Sequence, residues 1–401
     1  MANNKKPVSS STGPLLIVPL DKITSQPNCR LGLFSLKDKT AYDLNLVFEE
    51  SEDVIASEYE DNRIVGSSHG WVMILSKNSE FTLMNVLSRS IIQLPQAKVK
   101  PSSHTSSEQL RRTLIDKAIL SVDPSHNDNY KVIIIYGLNK KLAFHCCGDK
   151  TWTTFGDSQY YYDLVWFSNM LYTLRGGITI EGWDFADSCT PTRKVCVQCS
   201  YTPTLSFPSD RCTTQWYLVP LLGEMLFIVR FVGEFVNHEG ELLCEGDLLG
   251  EEDIHPLTCP YRTFYFQVYK VDVIEKKVEE VRSLKDQVIF LGGNHSFSVS
   301  ARDYQELKGN SIYFTDDYWD RMFEDYLYGG HDIGVFSLED KSYIVHTSDL
   351  QVILYRLVIA PFWVLYQISL AELAFPHRYN CHQYPETKEL KTYPLKHLQK
   401  S

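Results

Sequence analysis

The sequence predicts an all-β fold, a β-propeller of about six four-stranded blades, with seven blades as the alternative. Three observations predict it. One segment occurs almost unchanged near both ends of the chain, pairs of alternating segments lie between the two copies, and a continuous apolar run precedes most pairs. The 401 residues are enough for one such domain, and nothing in the sequence marks a second.

The repeated segment predicts the outer strands of the blades. Residues 32–39 read Gly-Leu-Phe-Ser-Leu-Lys-Asp-Lys, and residues 334–341 read Gly-Val-Phe-Ser-Leu-Glu-Asp-Lys. Each copy alternates apolar with small or polar positions and ends at a charged turn, as a strand that enters a hairpin does. Weaker pairs of the same kind occur at residues 81–85 and 91–95, 142–145 and 152–155, 180–185 and 194–197, and 266–272 and 277–281.

The continuous apolar runs predict the inner strands of the blades. They comprise residues 70–75, 131–136, 169–174, 223–229 and 309–314. Strands that are buried on both faces have such runs, and the inner strands of a blade are buried on both faces. We therefore expect apolar side chains along the central channel, without the converging carboxylates or histidines that a channel enzyme needs.

The chain divides into one domain with two short ends. We expect a disordered segment at residues 1–14, the propeller domain at 15–375 and a C-terminal tail at 376–401. The apolar run at 352–373 contains Arg356, Pro361 and Gln367, which are unfavourable in a bilayer, so it predicts buried strands rather than a membrane span. The acidic insertion at 233–260 predicts a solvated loop, with a cation site or a contact with a basic partner as alternatives.

Charge and cysteine content bear on partners and compartment. The net charge of −11 argues against a nucleic-acid partner, because affinity for phosphates comes from lysine and arginine. Ten cysteines without a secretory leader predict a reducing compartment, the cytoplasm or the nucleus. The first 20 residues are basic and contain serines, with no acid before Asp21, so an organellar transit peptide is the alternative.

Two motifs resemble catalytic or metal-binding patterns. Residues 66–70 read Gly-Ser-Ser-His-Gly, which fits the nucleophile elbow of hydrolases, but that elbow needs a helix after the serine and residues 71–75 are β-type. We interpret it as a tight turn that enters a blade. Cys196 and Cys199 form half of a zinc site without a matching second pair. The sequence therefore predicts no catalytic residue, no metal and no cofactor.

One polar and aromatic segment is the candidate for protein binding. Tyrosine, tryptophan and arginine anchor protein interfaces because they bury a large area with little loss of entropy, and long connections carry the binding loops of a scaffold. The alternative is that Tyr318 and Trp319 pack between blades. The candidate residues are Asp316, Asp317, Tyr318, Trp319, Arg321, Tyr326 and His331.

A resemblance to a known family supports the fold. Residues 66–71 (Gly-Ser-Ser-His-Gly-Trp), followed by 81–85 and 92–95, resemble the opening blade of the plant KIB-type β-propeller family, which is associated with F-box proteins. Later pieces agree in order at residues 162–166, 171–172, 182–184 and 334–336, so the resemblance covers about residues 30–350. It implies a propeller that binds another protein.

The sequence also departs from the family pattern. Val86 stands where the family often has proline, and after Trp363 the tail differs from the family's short proline-rich cap. Only about 30 residues precede the first blade strand, and they lack the Leu-Pro-x-Glu-Leu start of an F-box. We therefore expect no direct docking to a cullin ligase. The sequence favours a non-catalytic propeller that binds another intracellular protein; the alternative is an enzyme with its active site in the channel.

Overall fold

The described residues of the computed structural model form 28 strands. The description covers residues 13–19, 30–37, 39–47, 62–76, 80–96, 114–156, 160–186, 190–199, 211–237, 240–243, 260–319, 321, 331–344, 362–364 and 378–380. The first half contains β1 (Leu15–Pro19), β2 (Arg30–Ser35), β3 (Thr40–Val47), β4 (Asn62–Ser68), β5 (Trp71–Ser76), β6 (Phe81–Asn85), β7 (Ile91–Leu94), β8 (Ile115–Leu120), β9 (Lys131–Tyr136), β10 (Lys141–Cys146), β11 (Thr153–Phe155), β12 (Tyr161–Phe167), β13 (Met170–Arg175), β14 (Thr179–Asp184) and β15 (Thr192–Gln198).

The second half is built in the same way. It contains β16 (Cys212–Leu221), β17 (Glu224–Gly233), β18 (Phe235–Val236), β19 (Leu242–Leu243), β20 (Arg262–Asp272), β21 (Lys277–Glu280), β22 (Gln287–Leu291), β23 (Phe297–Ser300), β24 (Ser311–Phe314), β25 (Gly334–Ser337), β26 (Ser342–Ile344), β27 (Phe362–Val364) and β28 (Arg378–Asn380).

Six sheets of four or five strands account for nearly all of these strands. Their orders are β27-β1-β2-β3-β28, β4-β5-β6-β7, β11-β10-β9-β8, β12-β13-β14-β15, β16-β17-β20-β21 and β23-β22-β24-β25-β26, and β18-β19 form a separate small hairpin. The predicted all-β propeller is thereby confirmed. The described residues form six such sheets, and two of them carry a fifth strand where four were predicted.

The innermost strands of the sheets meet in a ring. Neighbouring contacts join β27 to β4, β4 to β8, β8 to β12, β12 to β16, and β16 to β23. The first sheet closes this ring with the two ends of the chain, because β27 pairs antiparallel with β1. At the junction with the next sheet, the Ser67 hydroxyl donates to the carbonyl oxygen of Trp363 at 2.6 Å.

The repeated phenylalanine packs between sheets. Phe34 lies in β2 among apolar side chains of the β22-β24 sheet, including Phe290. Its counterpart Phe336 lies in β25 and contacts the rings of Tyr265 and Phe266 at 5.6 and 5.3 Å. Both rings are 1% exposed, so the repeat places a large apolar group between two blades in each copy, where its burial stabilises the ring.

The predicted position of the apolar runs was wrong. These runs form β5, β9, β13 and β17, each the second strand of its sheet counted from the channel, and β24, which is the third. A second strand has hydrogen-bonded neighbours on both sides and packed blades on both faces, so it is the most completely buried and the most apolar. The innermost strands contain polar side chains instead, among them Ser67, Lys117, Asp163 and Tyr217.

The ends of the propeller domain are partly described. Gly13 and Pro14, at the end of the segment expected to be disordered, are buried beside β1. Strand β28 lies within the expected tail and pairs with β3. Of the apolar run at 352–373, β27 is described and the rest lies outside the described residues. Among the described residues no helix has the length and apolar character needed to cross a membrane.

Gly66 permits close contact between β4 and β8. A Cβ atom at this position would lie 2.1 Å from the backbone oxygen of Ala118. We expect Gly66→Ala to lower the free energy of unfolding by about 1–3 kcal/mol, because the two inner strands would have to separate. Gly176→Ala is the control, since the nearest atom to its Cβ is 4.0 Å away. Equal stability of the two variants in urea denaturation would contradict this packing.

Candidate functional site

One segment crosses the mouth of the central channel. Residues 315–321, of which 320 is not described, leave the end of β24 and reach three other sheets. Asp317 accepts a hydrogen bond from the Tyr217 hydroxyl of β16. The indole N–H of Trp319 donates to the backbone carbonyl oxygen of Asp116, in β8, at 3.0 Å. The guanidinium of Arg63, in β4, lies 4.2 Å from the centre of the Trp319 ring. We call residues 315–321 the capping segment and this side of the ring the capped face.

The turns between paired strands define the opposite face. In the sheet of β16, β17 and β20, Cys212 and Gly233 lie at one end and the turn at Leu222 lies at the other. The capping segment bonds near the first end, so Leu222 lies on the opposite face. Ile274 follows β20 at that same end, because Val271 pairs with Met225.

Arg230 holds the capping segment to β17. Its side chain is fully buried and forms ion pairs at 2.9 Å with Asp317 and Asp332. Its Nε also donates to the Thr263 hydroxyl at 2.6 Å, and one Nη donates to the carbonyl oxygen of Thr315 at 3.0 Å. The donors of the guanidinium form a fixed planar fork. With them, Arg230 joins β17 to Thr263 in β20, to the capping segment, and to Asp332, which lies before β25.

Burial changes the pKa values of this cluster. Desolvation raises the pKa of Asp317 to about 6, against the opposing effects of Arg230 and the Tyr217 hydroxyl. Desolvation also raises the pKa of Asp316, and the neighbouring Asp332 adds to the rise. Burial alone would lower the pKa of Arg230, but Tyr217 and the surrounding carboxylates raise it well above its ordinary value. Arg230 is therefore a permanent cation among several buried acids.

The remaining part of the cluster is aromatic. The Tyr261 hydroxyl donates to Asp316 at 2.7 Å, and the Tyr261 ring contacts His331 and Tyr318 at 4.4 and 5.3 Å. The Tyr318 hydroxyl donates to Glu234 at 3.1 Å. These contacts place Tyr318 at the rim of the capped face, where its ring is partly exposed.

The structure separates the predicted binding residues into two groups. Asp316 and Asp317 point inward and hold the capping segment, and His331 donates to the Tyr261 carbonyl at 2.7 Å. Tyr318, Trp319 and Arg321 are partly exposed on the capped face; Arg321 also pairs with Glu234 at 3.6 Å. Tyr326 lies outside the described residues. The role of this set in binding a partner stays a prediction.

Several residues of this site were not identified from the sequence. Arg230 and Asp332 complete the cluster, but only the fold brings them to residues 316 and 317. A signal was nevertheless present, since Arg230 interrupts the apolar residues of β17. A cation within a buried strand requires a buried partner, and this identifies it as part of a network without identifying the partner.

Deeper in the channel, Lys117 and Asp163 form a second buried ion pair. Lys117 of β8 and Asp163 of β12 are 2.5 Å apart, and their side chains are 7% and 1% exposed. Asp163 also accepts from the backbone nitrogen of Leu218 in β16 at 2.7 Å. The pair therefore connects three innermost strands. The channel is polar at this level, contrary to the expectation from the apolar runs.

The loop between β22 and β23 fills the channel toward the opposite face. The backbone N–H of His295 donates to the backbone carbonyl oxygen of Ser67 at 2.9 Å. Its ring lies between two other sheets, with Nδ1 3.3 Å from the Ser68 hydroxyl and Nε2 3.2 Å from the backbone nitrogen of Trp166. Desolvation, with smaller contributions from His69 and Lys117, lowers the pKa of His295 to about 3.

The tautomer of His295 determines what the Ser68 contact can do. The backbone N–H of Trp166 can only donate, so Nε2 accepts and the ring proton is on Nδ1. Nδ1–H therefore donates to the Ser68 hydroxyl and cannot take its proton. A serine nucleophile needs the opposite arrangement, so this contact orients the loop rather than activating Ser68, although the serine belongs to the motif at residues 66–70.

The described residues hold no cluster of metal-ligand type. Within them, no group of three or more histidine, cysteine or acidic side chains is placed to hold a metal ion. Cys196 is exposed and Cys199 is buried, so the two sulfurs of the motif differ in environment. The contacts described above are internal ion pairs and hydrogen bonds that fix two loops inside a ring.

Comparison with known proteins identifies relatives over most of the chain. Residues 33–337 match the family described as KIB1-4 beta-propeller. The F-box/kelch-repeat protein KIB1 of Arabidopsis thaliana is 24% identical over 70% of this chain and 62% of its own length. The probable F-box protein At4g22165 of the same plant is 23% identical over 84% of this chain and 80% of its own length.

A third relative and one solved structure complete the comparison. The F-box protein KIB2 of Arabidopsis thaliana is 23% identical over 78% of this chain and 64% of its own length. The match thus spans less than two thirds of the length of KIB1 and of KIB2. A crystal structure of the N-terminal domain of Nup159 matches with 10% identity, 69% coverage of each chain and a TM-score of 0.32, which is too low to bear on function.

Proposed function

Because the chain belongs to the KIB1-4 beta-propeller family, we propose that it is a non-catalytic protein-recognition module. Its relatives in Arabidopsis thaliana are named as F-box proteins, and this chain corresponds to the part of such a protein that binds another protein. The recognised partner is a second protein that contacts the capped face.

The observation that supports this proposal is the closure of the channel. The capping segment crosses one mouth, and the loop that contains His295 fills the other side. Both are fixed by internal bonds, so the surface open to a large partner is on the faces rather than in the interior. Trp319 and Tyr318 lie on the capped face with part of each ring exposed, which suits an aromatic anchor.

The Trp319 side chain provides the test. We expect Trp319→Ala to weaken binding of the partner by about 30-fold, because loss of an interface anchor costs about 2 kcal/mol. The measurement is quantitative affinity purification from plant cells, followed by titration of the recovered protein. Leu222→Ala, on the opposite face, is the matched control and should bind as the wild type does.

Two results would count against the proposal. One is equal recovery with Trp319→Ala and wild type, provided that circular dichroism shows both to be folded. The other is loss of binding with Leu222→Ala alone, which would move the interface to the opposite face.

An enzyme with its active site in the channel is the second candidate. It is favoured by the polar innermost strands, since Lys117, Asp163 and His295 all lie in the channel. The proton on Nδ1 of His295 argues against serine chemistry at Ser68. A turnover activity of the purified chain that Ser68→Ala abolishes, with the fold intact, would establish this candidate in place of the first.

A further inference from the structure

The two segments that close the channel meet beside the end of β22. The capping segment begins at Thr315, whose backbone N–H donates to the carbonyl oxygen of Leu291 at 3.1 Å. Leu291 is the last residue of β22, and the loop that contains His295 follows it. We call residues 292–296 the channel loop. The start of the capping segment therefore lies against the start of the channel loop.

Glycine at position 292 lets the two segments approach closely. Its φ angle is +144°, and a Cβ atom there would lie 2.0 Å from the hydroxyl oxygen of Thr315. The hydroxyl thus occupies space that any other side chain would fill. The amide oxygen of Asn294 is 3.1 Å from the same point. Because both distances start from one point, their sum of about 5.1 Å is the largest separation that the two oxygens can have.

Both of these oxygens are buried without a hydrogen-bond partner among the described residues. Thr315 and Asn294 are 0% exposed, and Oγ1 of the first and Oδ1 of the second are unpaired. The orientation of the amide is fixed, because Nδ2 of Asn294 donates to the carbonyl oxygen of His295 at 3.0 Å. An unpaired polar atom in the interior costs free energy, so nearly all such atoms bind protein or ordered water.

Two further unpaired oxygens belong to the same part of the fold. Ser296 lies in the channel loop, and Arg230 joins the Asp332 carboxylate to the carbonyl oxygen of Thr315. Ser296 and Asp332 each have one buried oxygen without a partner in the described part of the chain. An internal water needs about two to four polar partners, so this part of the channel is polar enough to hold one.

The chemistry of the site selects the kind of ligand. Oδ1 of Asn294 can only accept a hydrogen bond, so it repels an anion, whereas the Thr315 hydroxyl can donate and accept. The Arg230 guanidinium, 3.0 Å from the Thr315 carbonyl oxygen, opposes a cation, and Ca²⁺ needs about six to eight oxygen ligands. A small neutral molecule that both donates and accepts fits instead. One water with two hydrogen bonds of about 2.8 Å spans up to about 5.6 Å.

We propose that one water molecule is bound between Asn294 and Thr315 and links the capping segment to the channel loop. It donates to Oδ1 of Asn294 and accepts from the hydroxyl of Thr315. The two segments that close the channel are thereby joined to each other as well as to the surrounding sheets. This water belongs to the folded chain with or without a partner on the capped face, so the inference is independent of the proposed function.

The sign of one change in stability tests the proposal. Thr315→Val keeps the shape of the side chain and removes its hydroxyl. If a water is bound, the substitution removes one of its hydrogen bonds, and we expect the equilibrium constant for unfolding in urea to rise at least about five-fold. If the hydroxyl has no partner, valine removes an unpaired polar group from the interior, and the variant is more stable than wild type. A more stable Thr315→Val would overturn the proposal.

Thr214→Val is the matched control for this substitution. Thr214 is exposed in β16, so the same chemical change should leave the unfolding constant within about two-fold of wild type. Equal losses in Thr315→Val and Thr214→Val would contradict a bound water at Thr315.

Magnetic relaxation dispersion of water counts the long-lived internal waters directly. We expect Thr315→Val to hold one fewer than wild type, and Thr214→Val to hold the same number. An unchanged number in a destabilised Thr315→Val would indicate a direct bond between Thr315 and Asn294, and would overturn the proposal. A wild-type stability that changes when potassium replaces sodium at constant ionic strength would assign the site to a cation and overturn it as well.

A double-mutant cycle tests the link between the two segments. Asn294→Leu removes the other partner of the water. Once the water is lost, the second substitution has less to remove, so the two together should raise the unfolding constant by less than the product of their separate effects. A combined effect equal to that product would show that Asn294 and Thr315 do not share a ligand.

Discussion

Arg230→Met is expected to lower the free energy of unfolding by about 3–5 kcal/mol. The substitution keeps a long apolar side chain in β17 but removes the cation that pairs with Asp317 and Asp332 at 2.9 Å. Both carboxylates would then remain in a buried site without their main partner. The effect is measured by urea denaturation at neutral pH.

Lys270→Met is the matched control for this prediction. Lys270 lies in the adjacent strand β20 and pairs with Glu224 at 2.5 Å, but both side chains are more than 40% exposed. Solvent screens such a pair, so its loss should change stability little. Similar midpoints for the two variants would show that Arg230 does not hold the capping segment as described.

A double-mutant cycle distinguishes the ion pair from simple packing. If the charge of Asp317 is what Arg230 neutralises, then Asp317→Asn in the Arg230→Met background should recover part of the lost stability. A purely steric role of Arg230 predicts additive losses instead.

The second large effect concerns acid. The pKa of His295 is lowered to about 3 in the folded protein, below the ordinary value of about 6.5. The folded state therefore binds this proton less tightly than the unfolded state, and stability is lost as the pH falls below about 6.5. Linkage gives a loss of about 2 kcal/mol between pH 7 and pH 5 from this residue alone.

Asp317 acts in the opposite direction over part of this range. Its pKa is raised to about 6 by desolvation, so the folded state binds its proton more tightly than the unfolded state does. The free energy of unfolding therefore rises as the pH falls through about 6 toward the ordinary pKa of aspartate. The gain at pH 5, relative to pH 7, is about 1 kcal/mol. The net expectation is a loss of stability on acidification, and the loss is steeper in Asp317→Asn.

Substitution of two histidines separates these contributions. His295→Gln should be less stable than wild type at pH 7, because its hydrogen bonds to two sheets are disturbed, but it should lose less stability between pH 7 and 5. His126→Gln, at an exposed loop position, should keep the dependence of the wild type. Identical dependence on pH in wild type and His295→Gln would exclude His295 as the acid-sensitive group.

Local pattern was sufficient for the outer part of each blade. The pair predicted at residues 81–85 and 91–95 corresponds to β6 and β7, and the pair at 266–272 and 277–281 to β20 and β21. These strands are adjacent in sequence and alternate in polarity, so a short window contains the whole signal.

Local pattern failed for the innermost strands. Strand β8 reads Ile-Asp-Lys-Ala-Ile-Leu and β12 reads Tyr-Tyr-Asp-Leu-Val-Trp-Phe, and neither is a continuous apolar run. Lys117 of β8 and Asp163 of β12 form an ion pair with each other, and Asp116 of β8 pairs with Lys140 in the turn before β10. A buried charge whose partner lies 46 residues away cannot be distinguished from an exposed charge by sequence periodicity.

The sequence could not show which of the predicted binding residues face inward, and their role in binding stays a prediction. Residues 316–321 were candidates for protein binding because aromatic and polar side chains occur together there. In the structure this segment crosses the mouth of the channel. That Asp316 and Asp317 point inward depends on Arg230 and Tyr261, which belong to other strands. Such long-range pairings are fixed by the ring of sheets and have no local signature.

Site-specific photo-cross-linking in plant cells tests the central claim, recognition of a protein through the capped face, most directly. A photoreactive amino acid replaces either Leu138, on the capped face, or Leu222, on the opposite face; both leucines are more than half exposed. We predict that one defined protein is cross-linked from position 138 and not from position 222. Cross-linking from position 222 alone, or from neither position in a folded chain that turns over a substrate, would contradict the account.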